Sequence, residues 1–307
     1  HEAFQRALDA PLPPAGATLR EGVGEILARP GLGHARQSAL IRDLWEGLEL
    51  PAELARQIAA AYARLARGDE GEPFVAVRSS AREEDTEGAA RAGEFDTFLF
   101  VRGLAGLLQS VKRAWSGLWT ERALHNRAVL GAGAGGVGGG VVVQRMLRSR
   151  VAGVLQTVDV AEGNPREMLI NAGLGLGEGI VSGTVAPDQV RVDKRGDLQR
   201  GPLRFRYVTS EKREQVVFDE RAGTGTTRVA TLYHQRLRAA LEYAELCELV
   251  AVASRLEGCY GYPLDLEFAL EGPRLFILQA RPVPAFQAAL RETLERHPLG
   301  MTERSQP

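Results

Sequence analysis

The sequence predicts an α+β fold, and three observations carry that prediction. Strand-like runs cluster at 141–193 and again at 264–282. Long stretches with apolar residues at helical spacing stand apart from those clusters, at 34–68, 103–129 and 231–257. The two kinds of segment do not alternate as regular βαβ units, so a doubly wound parallel sheet is not expected.

Taken in order, residues 1–20 hold a short helical piece and a break at Pro11–Pro14. Residues 34–48 read as a helix. A second helix starts near Pro51, carries Leu54, Ile58, Tyr62 and Leu65 at helical spacing, and ends at Gly68. Residues 73–78 read as a strand, followed by a polar loop and a strand at 98–101. Residues 103–129 form a helix with Leu107, Val111, Trp115 and Trp119 on its apolar face. Gly131–Gly140 reads as a flexible connector. It sets the expected boundary between a unit at 1–135 and a unit at 136–284, with 285–307 as a linker or tail. Strands are expected at 141–147, 151–158, 167–172 and 188–193, and one or two hairpins within 195–228. A helix over 231–257 buries Leu237, Leu241, Leu246 and Leu249 and is closed by Gly258 and Gly261.

The chain has 307 residues, 44% of them hydrophobic and 25% charged, which is ordinary globular composition. Its net charge of -1 gives no reason to expect nucleic acid or an anionic membrane as a partner. No apolar run is long enough to span a membrane. Cys247 and Cys259 match no metal spacing and read as reduced thiols, which suits the cytoplasm. The chain begins with His1 and shows no signal peptide, so a fragment of a longer protein is expected.

The chemistry concentrates in Leu264–Pro282, read as a hairpin turning at Glu271-Gly272-Pro273. Asp265, Glu267 and Ala269 alternate with Leu264, Leu266, Phe268 and Leu270. In the second strand Leu275, Ile277, Gln279 and Arg281 are expected on one face. A three-residue turn sets 265 opposite 279. Two carboxylates two residues apart repel unless a cation lies between them. An oxygen-ligated Mg²⁺ with an arginine for a phosphate is one reading, and an exposed polar face is the other.

Three further segments carry two readings each. Arg78-Ser-Ser80 leaves a strand and forms either an anion site or an ion pair with Glu83, Glu84 or Asp85. Gly173–Gly179 follows a strand and completes neither a dinucleotide fingerprint nor a Walker A loop. It is either a phosphate cradle or a tight turn. Val141–Met146 is a buried strand whose polar end could hold an adenine edge or could simply leave the sheet. The five histidines form no cluster.

Together these pieces resemble one family in order and spacing. The matching pieces are Val75–Ala81, Ala92–Leu99, Val142–Met146, Gly153–Thr157, Gly173–Gly183 with Pro187-Asp188, and Tyr260–Glu267 through Gln279–Pro282. They resemble the ATP-grasp, PEP/pyruvate-binding N-terminal domain of phosphoenolpyruvate synthase, pyruvate phosphate dikinase and rifampin phosphotransferase. The resemblance implies an ATP-grasp fold with two subdomains clamping a nucleotide. It implies transfer of the β,γ-phosphates of Mg-ATP to a histidine on a separate swivelling domain, leaving AMP. That phosphohistidine carrier, on the same longer chain or another, would pass a phosphoryl group to a small-molecule acceptor bound elsewhere, such as pyruvate.

By the same resemblance, Arg78 and Arg281 hold phosphates and are the catalytic arginines. Glu267 and Gln279 hold Mg²⁺, with Asp265 beside them. Gln144, Arg145 and Met146 line the adenine slot, and Glu178 approaches the ribose. Thr157 and the loop carrying Gly93, Phe95 and Thr97 close over the phosphates. The chain departs from the family at Arg91, Glu94 and Gln156. The family's Gly-Gly-Lys segment is expected before His1. These departures keep in view an ATP-binding regulatory module without turnover; a separate alternative is an ATP-grasp ligase that forms an acyl phosphate and ADP.

Overall fold

A computed structural model describes residues 1–13, 16–66, 71–81, 97–129, 138–195, 198 and 202–283. Two compact units emerge. The first is 1–146 with 218–226, and the second is 147–217 with 227–307.

The first unit packs helices on a small sheet. The helices are α1 (Glu2–Leu8), α2 (Leu19–Ala28), α3 (His34–Gly47), α4 (Ala52–Leu65), α5 (Leu104–Ser116) and α6 (Glu121–Val129). Thr18 and Glu21 form a reciprocal capping box at the start of α2, each satisfying a backbone N–H of the other's end. That helix was not expected from apolar spacing. Pro51 caps α4 from just outside it. The single helix expected over 103–129 is broken: a 3₁₀ turn at Gly117–Trp119 separates α5 from α6. Phe4, Trp45, Trp115 and Trp119 cluster in the core with ring centroids 5.7–6.0 Å apart, Phe4 stacking on Trp45 and Trp119 and meeting Trp115 edge-on. The sheet has the order β2-β1-β3, formed by β1 (Val75–Ala81), β2 (Thr97–Val101) and β3 (Gly139–Arg145).

All seven residues of β3 pair with β1, from Val75↔Arg145 to Ala81↔Gly139. This pairing moves the boundary. The expected break at 135/136 falls instead at Met146/Leu147, because the strand after the glycine run completes the first sheet. Of that glycine run, only Gly138, Gly139 and Gly140 lie among the described residues.

The second unit is built on a six-stranded antiparallel sheet of order β11-β10-β4-β5-β6-β7. Its strands are β4 (Val151–Gln156), β5 (Glu167–Leu174), β6 (Asp188–Asp193), β7 (Phe205–Val208), β10 (Leu264–Glu271) and β11 (Arg274–Pro282). A short helix, α7 (Glu178–Val181), follows β5. A hairpin of β8 (Glu214–Phe218) and β9 (Thr226–Ala230) lies outside this sheet. Helix α8 (Tyr243–Tyr260) covers one sheet face. Its Leu246, Leu249, Val250 and Ala253 meet Leu264, Leu266, Phe268 and Leu270 in a closed core. Each of these leucine, valine and phenylalanine side chains contributes about 1.5–3 kcal/mol by leaving water.

The helix expected over 231–257 is corrected at its start. It begins at Tyr243, behind a capping box of Glu242 and Glu245. Ala240 donates its N–H to Asp188 (2.7 Å), and Leu241 donates its N–H to the Tyr207 hydroxyl (3.2 Å). Those amides serve tertiary acceptors and not a preceding helical turn. Leu237, expected in the core, is 71% exposed. Gly261, with φ 76, ends the helix, while Gly258 lies inside it. The tail at 285–307 lies outside the described residues.

Candidate functional site

The register of β10 and β11 decides which side chains meet. The turn has two residues, Gly272 and Pro273, between the pair Glu271↔Arg274. Gly272 adopts φ 56, a conformation that glycine reaches without strain. The pairing continues through Leu270↔Leu275, Ala269↔Phe276 and Phe268↔Ile277, then shifts by one residue to Glu267↔Gln279 and Asp265↔Arg281. Leu278 is the extra residue of this β-bulge.

The bulge corrects two expectations. Asp265 lies opposite Arg281, not Gln279. Leu275 and Ile277 also do not share a face with Gln279 and Arg281. They pack into the α8 core, and the bulge turns the next two polar residues onto the other face. Without it, strict alternation would send Gln279 and Arg281 into the apolar core.

Arg281 donates two hydrogen bonds to Asp265 Oδ2, from Nε at 3.0 Å and Nη2 at 2.8 Å. Asp265 is 5% exposed, and among the described residues its other oxygen, Oδ1, is buried without a hydrogen-bond partner. A buried carboxylate oxygen in that state costs free energy unless a ligand or ion meets it. One row along, Glu267 faces Gln279 on one side and Val154 on the other. A cavity of about 420 Å³ opens on this face, lined by Val154, Asn171, Ile180, Val181, Pro187, Glu267 and Arg281. Carboxylate and amide oxygens are the donor set a hard divalent cation takes. The orphaned Oδ1 of Asp265 adds to that fit.

The other expected residues fall as follows. In the first unit, Arg78, Thr97 and Gln144 share one face of the small sheet, through Arg78↔Thr97 and Ala76↔Gln144. Arg145 pairs with Val75 and so lies on the opposite face from Gln144. Met146 donates its backbone N–H to Phe74 (2.9 Å). Gly93 and Phe95 lie outside the described residues, as do Glu83, Glu84 and Asp85.

Thr157 is placed differently from expectation. It is fully buried, its hydroxyl donates to Glu257 (2.8 Å) and accepts from Leu264 N–H (2.9 Å). Lys194 joins the same carboxylate at 2.8 Å and the Thr157 carbonyl at 3.0 Å. The hydroxyl is committed to tying β4 and β10 to α8, which leaves it no donor for a phosphate.

The glycine loop is a tight turn in its first half. Gly175, with φ 79, donates to the Arg150 carbonyl, and Leu176 donates to the Val216 carbonyl. A Cβ at 175 would stand 2.3 Å from the Val216 oxygen. Glu178 is exposed at the start of α7, whose Ile180 and Val181 line the cavity. No site role was expected for Val154, Asn171, Ile180, Val181 or Pro187, although all but Asn171 lie in segments that carry the family resemblance. The pairing Val154↔Asn171 beside Glu267↔Val154 is what brings the first two to the site.

A second acidic group, Asp159, Glu162 and Glu167, has carboxylate oxygens within 4.8 Å of one another. Arg191 reaches Asp159 at 2.6 Å and Glu162 at 3.0 Å. Burial pushes the Asp159 carboxyl up, but the bond from Arg191 and the amides of Glu162 and Ala161 outweigh it and hold it below its ordinary range. Its charge is already answered by protein. No helix among the described residues is long and apolar enough to cross a membrane.

Residues 19–297 match the domain described as the pyruvate phosphate dikinase AMP/ATP-binding domain. The chain is 34% identical over 306 residues to a probable phosphoenolpyruvate synthase of Pyrococcus abyssi, covering 96% of this chain and 36% of that protein. It is 36% identical to a phosphoenolpyruvate synthase of Pseudomonas aeruginosa, covering 86% of this chain and 34% of the relative. It is also 36% identical to a rifampicin phosphotransferase of a Streptomyces species, covering 80% and 27%. The chain thus spans between about a quarter and about a third of the length of these relatives. With a match that runs through both units and includes the Glu267–Gln279 and Asp265–Arg281 rows, the chain belongs to the pyruvate phosphate dikinase AMP/ATP-binding domain family.

Proposed function

We propose that this chain is the ATP-binding module of a dikinase-type phosphotransferase. It would bind Mg-ATP and deliver the β,γ-phosphates to a histidine on a separate domain, with AMP as product. The observation that carries this reading is the bulged hairpin. It sets a carboxylate opposite an amide, and a second carboxylate opposite an arginine, on the wall of one cavity. Phosphoryl transfer asks mainly for positioning and charge neutralisation.

In this reading Glu267 and Gln279 hold Mg²⁺ and Asp265 stands beside them with its unpartnered Oδ1. The cation supplies neutralisation of phosphate charge when bound. Arg281 is 45% exposed at its side chain, so its guanidinium can turn donors to a phosphate while Asp265 keeps it in place. The family resemblance adds Arg78 and Thr97 as phosphate contacts and Gln144 to Met146 as adenine contacts. Glu178 is the candidate for a ribose contact. The length of the relatives supports a histidine-bearing carrier and an acceptor site in other domains. Pyruvate and rifampicin-type acceptors follow from the relatives' names. Two unpaired cysteines, Cys247 and Cys259, suit the cytoplasm.

Nucleotide product analysis tests the reading. The chain, supplied with Mg-ATP and a histidine-bearing carrier domain from a phosphoenolpyruvate synthase relative, should yield AMP. ADP with an acyl phosphate would replace the reading with a ligase, and tight ATP binding with no product would replace it with a regulatory module.

A further inference from the structure

The cavity on the second unit's sheet has two chemically different ends. Glu267 and Arg281 supply charge at one. Ile180, Val181 and Pro187 make the other apolar, and Ile180 packs so closely over Gly173 that a Cβ there would meet its Cδ1 at 3.0 Å. At this neutral end stands one amide, Asn171, on β5.

Its position follows from register. Gln279, Glu267, Val154, Asn171 and Gln189 form a single row across five strands, each directly paired with the next. Asn171 is two strands from Glu267, which at about 4.8 Å per strand separates them by ~10 Å. That is too far to share a cation with Glu267. It is about the reach from a metal-bound terminal phosphate to the sugar of the same nucleotide. Among the described residues the Asn171 amide has no hydrogen-bond partner, although it forms part of the cavity wall. Its neighbour in the row differs, because Gln189 accepts from Arg191. A half-buried amide with open donors and acceptor matches neutral groups that both donate and accept, such as sugar hydroxyls or a base edge.

We infer that Asn171 is a specificity-determining residue that reads the nucleoside part of the ligand whose phosphates lie at Glu267 and Arg281. The inference rests on the ATP reading above. Asn171 holds the neutral end of the nucleotide by hydrogen bonding and contributes nothing to the triphosphate.

Calorimetric titration of the full 307-residue chain tests it, with Mg-ATP and magnesium tripolyphosphate as probes. Asn171→Ala should weaken Mg-ATP about ten-fold, the loss of one hydrogen bond, and leave tripolyphosphate within about two-fold. Asn171→Ser, which keeps a hydroxyl, should fall between, and guards against a folding defect in the alanine variant. In the parent chain, 2′-deoxy-ATP binding more weakly than ATP assigns the contact to the sugar; ITP binding more weakly assigns it to the base edge. Either result supports the inference. Equal losses for ATP and tripolyphosphate, or no loss for either, overturn it while leaving the ATP site standing. A parent chain that binds tripolyphosphate and ATP equally well also overturns it. A parent chain that binds neither overturns the ATP reading as well.

Discussion

Asp188 and Asp265 are both buried carboxylates paired with a cation in the second unit, and they are satisfied very differently. Asp188 is fully buried and accepts at both oxygens. Lys212 Nζ (2.6 Å) and the Ser210 N–H (2.8 Å) meet Oδ1, while the Tyr207 hydroxyl (3.0 Å) and the Ala240 N–H (2.7 Å) meet Oδ2. Burial pushes the Tyr207 phenol far above its ordinary range, and the Asp188 charge acts in the same direction. Asp265 has both Arg281 bonds on one oxygen and none on the other. A closed network of this kind holds a fold together, whereas an open one stores binding capacity. The Pro187-Asp188 pair carries the family resemblance yet has two jobs. Pro187 lines the cavity, and Asp188 is the hub that joins β6, β7 and the entry to α8.

The strongest way to break the comparison is to remove the site side. Glu267→Ala and Arg281→Ala should each lower AMP formation at least ~10³-fold. The urea midpoint should be nearly unmoved for Glu267→Ala and lowered for Arg281→Ala, which strips the buried Asp265 carboxylate of both its hydrogen bonds. Full turnover in either variant would end the assignment. The complementary change is Lys212→Met. It leaves the Asp188 charge buried and unpaired, and should cost about 3–5 kcal/mol in urea unfolding. A loss under about 1 kcal/mol would show that the hub is not structural.

The amide replacements sharpen the contrast. Asp188→Asn should destabilise by about 1–3 kcal/mol, because an amide cannot accept four donors at both ends. Asp265→Asn should change stability by less than about 1 kcal/mol and weaken Mg-ATP about ten-fold. Equal effects on stability would erase the distinction drawn between them. The smallest effect concerns pH. The Asp159 carboxyl is held below its ordinary range, so its stabilisation is present above about pH 4 and is lost as pH falls through the lower folded value. Arg191→Gln should flatten that acid limb of the urea midpoint. An unchanged limb would place the acid sensitivity elsewhere.

Much of this was legible in the residues. The pattern of β6 matches its expected span at 188–193, and α3 its span to within a residue. The polar set of the hairpin, Asp265, Glu267, Gln279 and Arg281, stands out against an apolar background because charges rarely enter such strands unpaired. Helix α2 was legible too, through the capping pair Thr18 and Glu21 and through Leu19, Val23, Ile26 and Leu27 at i, i+4, i+7 and i+8, although no helix was expected there. The start of α8 was not legible. Leu237 and Leu241 continue the helical spacing, and only the distant acceptors Asp188 and Tyr207 take the amides of 240 and 241 out of the helix. Thr157 was misplaced for a similar reason, since its partners Glu257 and Lys194 are far along the chain.

For the hairpin at 264–282, sequence alone determined which groups would be present and that they would share a face with a carboxylate pair. It did not determine the register. Leu275-Phe276-Ile277-Leu278 is apolar at every position, so alternation is silent about which of these residues face the core. Tertiary packing decided it. Leu275 and Ile277 fill the space against α8, Leu278 takes up the bulge, and Gln279 and Arg281 are thereby turned to Glu267 and Asp265. A bulge is one extra residue whose place is set by what both strands must bury, and that information lies in the neighbours and not in the strand.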